Sequence, residues 1–226
     1  MSPVSTHAYL AQFSLFSGLS PLELEALATQ SELIKVSRGA FIYLADAPSD
    51  FIGLLIKGSV KISVFTEDGR ELIKQVVHPN NIFGELCLAG ETERPDFAGA
   101  MHEDVWYVRA PFAVFSKLMQ QNADLTCAVI RCLGERLRRA ERQCESLVLK
   151  DVRTRIVEFL KDNADSRGRQ VGLETMIKHS LTQQDIANLV GASRQTVAAI
   201  LNELRKSNLI HFNRNTILIR DLDKLN

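Results

Sequence analysis

The chain has no apolar run near the roughly 18–20 residues that a membrane-crossing helix needs, and it has no net charge across its 226 residues. Its first residues, MSPVSTHAYLAQFSLF, lack the basic start and continuous apolar stretch of a secretory signal. A cytoplasmic protein without membrane contact is the expectation. Cysteine is sparse: Cys87, Cys127, Cys132 and Cys144 form no Cys-x-x-Cys pair, and none precedes position 87. That excludes the usual disulfide framework of a secreted domain and gives no metal-ligand spacing, so no metal is expected.

A zero balance argues against a polyanion partner until the chain is divided. Residues 1–149 carry 14 Lys and Arg against 18 Asp and Glu, a net −4, whereas residues 150–226 carry 13 against 9, a net +4. The basic excess sits where nucleic acid could use it. Hydrophobic residues make up 46% and charged residues 24%, which supports a real core.

The patterning changes twice along the chain. Residues 20–31 predict a short helix, with Ser20 as N-cap and Pro21 in the first turn. From about 33 to 109, short β-type runs are broken by glycines: Val60, Ile62 and Val64 alternate, Asp68-Gly69 signals a turn, and further strands fall near 97–101 and 105–108. A helix over 111–121 follows, then a longer one over 124–149. In the longer helix Ile130, Leu133, Leu137, Ala140, Cys144 and Leu147 step by 3, 4, 3, 4 and 3, an a/d heptad stripe. A second stripe of Leu125, Val129 and Cys132 faces elsewhere and suits the β domain. Two apolar faces need two partners, and a parallel homodimer supplies the second; burial of both within one subunit is the alternative. In the dimer Cys144 would face its own copy, either as a redox-active thiol or as a small apolar filler.

Asp151 is placed to cap another helix whose core face is Ile156, Val157 and Leu160, and the polar tract 162–170 reads as a loop. In LTQQDIANLVGASRQTVAAILNEL, residues 181–204, Thr182 and Asp185 form a capping box, and Ile186, Ala187 and Val190 give an inner face. Gly191 ends the helix and Ser193 caps the next one, whose inner face is Val197, Ile200, Leu201 and Leu204. Small Ala187 lets the two helices cross steeply, the mark of a helix-turn-helix.

Projection of the second helix leaves Gln195, Ala199, Asn202 and Lys206 opposite the core, with Arg194 beside them at the N-terminal end. Arg194 can read guanine and Gln195 adenine by paired hydrogen bonds, while Ala199 can touch a thymine methyl. Thr182, Gln183, Ser193 and Thr196 are placed for phosphates. LIHFNRNTILIRD then reads as a β hairpin with Arg214 at its tip, a wing against the DNA backbone.

A β roll, a long dimer helix and a winged helix-turn-helix in this order resemble the catabolite activator protein / fumarate–nitrate regulator superfamily, over roughly residues 12–222. FGEL at 83–86, LKDVRTRI at 149–156 and ASRQTV at 192–197 carry the likeness most specifically. The fold implied is α+β: an N-terminal β roll like the cyclic-nucleotide-binding jelly roll over 1–122, a dimerisation helix over 123–149, and a winged helix-turn-helix over 150–226. The function implied is a homodimeric transcription regulator, not an enzyme, that binds a pseudo-palindromic DNA operator and works with RNA polymerase. Arg194, Gln195 and Ala199 match the family's base-reading positions.

The resemblance also implies an effector pocket in the roll. Gly84, Glu85, Leu86 and Arg94 match the residues that hold a cyclic nucleotide, but Pro95 and Asp96 stand where the family has a hydroxyl and a small residue. Proline offers neither hydroxyl nor N–H, and a carboxylate repels phosphate. The positions that meet the adenine fall at Ala140 and Glu141, again without hydroxyls. These departures disfavour cAMP and leave the effector, or the need for one, open. An atypical cAMP pocket, a cysteine redox sensor and a Glu85–Arg94 structural ion pair are the alternatives. A cyclic-nucleotide module serving an attached enzyme or channel would require an intact phosphate cassette, and an enzyme built on Cys87 lacks any nucleophile–base spacing.

Overall fold

A computed structural model describes residues 3–179, 181–213 and 216–225. The chain forms two compact units: residues up to Gly69 with Ile73–Arg138, and Arg70–Leu72 with Arg139 onward.

The first unit opens with α1 (Pro3–Leu10) and α2 (Pro21–Thr29). Ser20 and Glu23 form a complete capping box at α2, as the sequence predicts. Eight strands follow: β1 (Glu32–Val36), β2 (Phe41–Tyr43), β3 (Phe51–Lys57), β4 (Val60–Phe65), β5 (Glu71–Val77), β6 (Ile82–Phe83), β7 (Phe97–Ala100) and β8 (Val105–Pro111). They build two four-stranded sheets, ordered β1-β8-β3-β6 and β2-β7-β4-β5. The observed strand pairs are antiparallel.

β3 and β8 are apolar on both faces because they serve two cores. Phe51 and Leu55 of β3, with Val105 and Tyr107 of β8, face Val60, Ile62, Phe83 and Ala98 inside the roll. Ile52 and Leu54, with Val108 and Ala110, turn the other way onto Leu10, Phe16, Leu24, Leu27 and Phe115 of the helical layer. The period-2 alternation of a strand separates the two sets. Gly53 is required here, since a Cβ would lie 2.2 Å from the Phe83 ring.

α3 (Phe112–Gln121) and α4 (Ala123–Leu149) complete the helical layer. Leu125 and Val129 of α4 are each 1% exposed in that core, and Cys132 packs on its edge. The second apolar stripe therefore lies on the β domain, as expected.

The second unit comprises the end of α4, then α5 (Val152–Arg167), β9 (Arg169–Val171), β10 (Glu174–Lys178), α6 (Gln183–Val190), α7 (Arg194–Lys206), β11 (Ile210–Phe212) and β12 (Thr216–Ile219). The four strands form one sheet, β11-β12-β10-β9, under the helices. Asp151 caps α5 by accepting from Thr154 N at 2.7 Å. Buried Ile156, Leu160, Ile177, Ile186, Leu201, Leu204, Ile210 and Ile217 form the core.

The expected loop over 162–170 is corrected: α5 runs on to Arg167, and β9 begins at Arg169. Ala164 continues the inner face four residues after Leu160, and the tract's polar side chains bond to their own helix. Asn163 donates to Phe159 O and Ser166 to Asp162 O, so polarity here marks an outer helix face.

Phe115 is fully buried where α3, the N-terminal segment and the roll meet. Phe115→Ala is expected to lower unfolding stability by about 3–5 kcal/mol, read as a reduced urea midpoint.

Candidate nucleic-acid interface and effector pocket

The helix-turn-helix is built from short-range chemistry. Thr182 Oγ1 accepts from Asp185 N at 3.1 Å, and Asp185 accepts from Thr182 N at 2.7 Å, which closes the capping box of α6. Ala187 is fully buried. Gly191 then takes φ 64°, ψ 48° and turns the chain, a left-handed conformation where a side chain would be strained. A Cβ there would also approach Leu147 to 2.9 Å. Ser193 caps α7 by accepting from Thr196 N at 3.0 Å.

A residue that sequence reasoning passed over secures the turn. Arg155 Nε donates to Val190 O at 2.8 Å, Nη1 to Lys150 O at 2.7 Å and Nη2 to Gly191 O at 3.2 Å. One guanidinium thus satisfies carbonyls at the end of α6 and just after α4. A cation at a helix C-terminus is favourable.

On α7, Val197, Leu201 and Leu204 are buried, and Ile200, read as a fourth inner residue, is half-buried. Arg194, Gln195, Ala199 and Lys206 are exposed on the other side, with Asn202 half-buried between. Thr182 and Ser193 are exposed, and Gln183 and Thr196 half-buried. The ten expected contact residues thus gather on α7 and the N-terminal end of α6, except Arg214, which lies outside the described residues. The expected wing is present as the antiparallel pair β11 and β12. Arg205 lies over the Phe212 ring at 5.3 Å and joins α7 to it.

Beside the apolar core of the roll lies a cluster of charged side chains, three of them buried: Glu85, Arg94 and Asp96. Gly84, with φ 72°, leads into a short turn of 3-10 helix holding Glu85 and Leu86, and Glu85 is 2% exposed. The expected Glu85–Arg94 ion pair is replaced by other partners. Glu85 Oε1 is bonded by Arg136 Nη1 from α4. Arg94, 1% exposed, donates to Gly84 O at 2.8 Å and Phe51 O at 2.6 Å, and its guanidinium lies over the rings of Tyr43 at 4.6 Å and Phe51 at 5.0 Å. Glu91 approaches Arg94 at 3.7 Å.

Arg136 falls four positions after Cys132 on the Leu125–Val129 face, but an apolar pattern does not count a charged residue, and its partner Glu85 lies 51 positions away. Burial pulls its pKa down, but the facing Glu85 carboxylate more than offsets this and holds it above the usual value. Asp96 is buried too, 2.7 Å from Lys74 Nζ, and accepts from the Tyr43 hydroxyl at 3.3 Å. Burial first, and Asp96 next, push the Tyr43 phenol up. Ala140 and Glu141, the expected adenine-facing positions, are exposed on α4 and belong to the second unit.

The heptad stripe remains largely uncovered within the chain. Ile130 and Leu137 are each 61% exposed and Leu147 43%, while Ala140 and Cys144 are exposed and Leu133 packs partly on the helical-layer core. Val148 and Leu149, unremarked in the sequence, add two more exposed apolar side chains at the end of α4.

Comparison with known proteins places these features. Residues 154–226 match a Crp-like helix-turn-helix domain and residues 33–122 a cyclic nucleotide-binding domain. The chain is 31% identical over 216 residues to a CRP-like cAMP-activated global transcriptional regulator of Mycobacterium tuberculosis, covering 96% of each chain. It is 28% identical over 206 residues to the global nitrogen regulator of Synechococcus elongatus, covering 91% of this chain and 89% of that one. Among solved structures, a CRP/FNR-family transcriptional regulator from Thermus thermophilus superposes with TM-score 0.67 at 26% identity, over 86% of this chain and 96% of the other. The mycobacterial and Thermus relatives are named as transcriptional regulators, and the Synechococcus one as a nitrogen regulator.

The cysteines fall into two chemical classes. Cys87 is buried beside Gly84 O, and burial pushes its thiol up to about 11, while Cys127 and Cys144 are exposed. Thiolate and access together set alkylation rate. Iodoacetamide at pH 8 is expected to modify Cys127 in the native protein and Cys87 only after unfolding, as peptide mass mapping would show.

Proposed function

The chain belongs to the CRP/FNR family of DNA-binding transcription regulators, and from that premise we propose that it acts as a homodimer on a pseudo-palindromic operator, with Arg194, Gln195 and Ala199 reading base edges. The observation that carries the reading is α7 itself. A capped helix buries Val197, Leu201 and Leu204 and presents Arg194 and Gln195 at its exposed first turn, which is where a recognition helix meets bases. Asn202 and Lys206 extend the same surface. Thr182, Gln183, Ser193 and Thr196, with Arg214 from the wing, hold phosphates and fix the register.

The homodimer reading rests on the a/d stripe of Ile130, Leu133, Leu137, Ala140, Cys144 and Leu147, which the chain leaves exposed except at Leu133. Two copies paired along it bury what a single chain leaves in water, and the two-fold axis sets half-sites about 34 Å apart. In this reading residues 1–122 are the effector domain, 123–149 the dimerisation helix and 150–226 the DNA-binding domain, and the bound dimer works with RNA polymerase. The effector pocket is the cluster around Gly84, Glu85, Leu86 and Arg94, and Ala140 and Glu141 are the dimer-helix positions that the resemblance assigns to it. The mycobacterial relative is named as cAMP-activated. Here Pro95 removes a hydrogen-bond donor and Asp96 adds a negative charge, so the pocket departs from one built for cAMP.

Selection of bound fragments from genomic DNA tests the whole reading. A shared palindrome supports it, and uniform salt-sensitive binding to all fragments refutes it. Arg194→Ala is expected to relax preference at one base position by roughly 1–3 kcal/mol, whereas equal weakening on every sequence would reassign Arg194 to phosphate. Leu137→Glu sets two carboxylates in the seam and is expected to yield monomers in sedimentation and weaker operator binding; a variant that stays dimeric would place the seam elsewhere.

A further inference from the structure

The charges buried in the roll are matched from within the chain. Glu85 has Arg136, Asp96 has Lys74, and Arg94 has Glu91 at 3.7 Å together with two backbone carbonyls. Three acids face three bases, and Tyr43 lies within the field of Asp96, Arg94, Glu85 and Arg136. Two further buried atoms, Glu85 Oε2 and Arg94 Nε, have no hydrogen-bond partner. One is an acceptor and the other a donor. An added phosphate meets a cluster already neutral, with the Asp96 carboxylate inside it.

Lys74 is the informative partner. It reaches in from β5 with its side chain 39% exposed, while Asp96 is 4% exposed by side chain and also holds the Tyr43 hydroxyl. Without Asp96, Lys74 would present an unpaired ammonium to the cluster, the usual means of attracting an anion. We propose that Asp96 is the residue that sets the ligand charge of this pocket: as a built-in counter-ion to Lys74 it excludes phosphate-bearing effectors and masks a latent anion site. This rests on reading the roll cluster as the effector pocket. It goes further by naming the masked cation and by making the regulator independent of cyclic nucleotides.

The test uses the full chain and two probes, inorganic phosphate and cAMP, followed by thermal shift and calorimetry. Asp96→Asn keeps the shape and an oxygen for Tyr43 while removing the charge. The wild type should show no saturable response to either probe. Asp96→Asn should gain a saturable rise in midpoint of roughly 2–4 °C with phosphate, and Asp96→Asn with Lys74→Gln should lose it again. Saturable binding of either probe by the wild type overturns the proposal. So does a folded Asp96→Asn that gains nothing, or a double variant that keeps the response. Should Asp96→Asn not fold, Asp96→Ser carries the same comparison, and the wild-type titration decides by itself. Operator binding by fluorescence anisotropy on the same samples separates the two readings, since its absence refutes DNA recognition and leaves the anion result standing.

Discussion

One helix has to serve two apolar faces, and the rest of the molecule is arranged around that constraint. α4 gives Leu125 and Val129 to the helical-layer core at 1% exposure each, while Ile130 and Leu137 stand 61% exposed on another face. The first face ties α4 to the roll by ordinary packing. The second leaves large aliphatic side chains in a row in water, an unfavourable state that a partner surface relieves. The same helix sends Arg136 into the roll to meet Glu85. Packing and polar bracing therefore follow one another along one face of a 27-residue cylinder, and the uncovered stripe occupies another.

The reading head depends on much smaller terms. N-caps at Thr182 and Ser193, a buried alanine and a glycine with positive φ fix where α6 stops and where α7 starts. Each cap is worth on the order of 1 kcal/mol, yet together they fix which side chains of α7 face outward. The same inner triad of Val197, Leu201 and Leu204 that stabilises the unit also sets the direction of Arg194 and Gln195.

What could be read from the sequence followed how local the determining interaction was. Thr182, Asp185, Gly191 and Ser193 act within three or four residues of one another, so the helix-turn-helix was legible down to its caps. The heptad stripe and the Leu125–Val129 face were legible because a helix repeats them. Arg136 on Glu85 and Lys74 on Asp96 join residues 51 and 22 positions apart, and no period announces such pairs. Arg155 was passed over for the same reason, since its acceptors are backbone carbonyls that carry no sequence mark. The polar tract 162–170 misled because Asn163 and Ser166 bond to their own helix; polarity alone does not separate a loop from the wet side of α5.

The three carbonyls held by Arg155 have a mechanical consequence. Lys150 O belongs to the junction after α4, and Val190 O and Gly191 O to the bend that launches α7. Pulling these apart would strand a guanidinium among unmet oxygens, so stalk tip and bend must travel together like a bolted bracket. Within the second unit, the last turn of the long helix cannot shift without carrying the start of the reader with it.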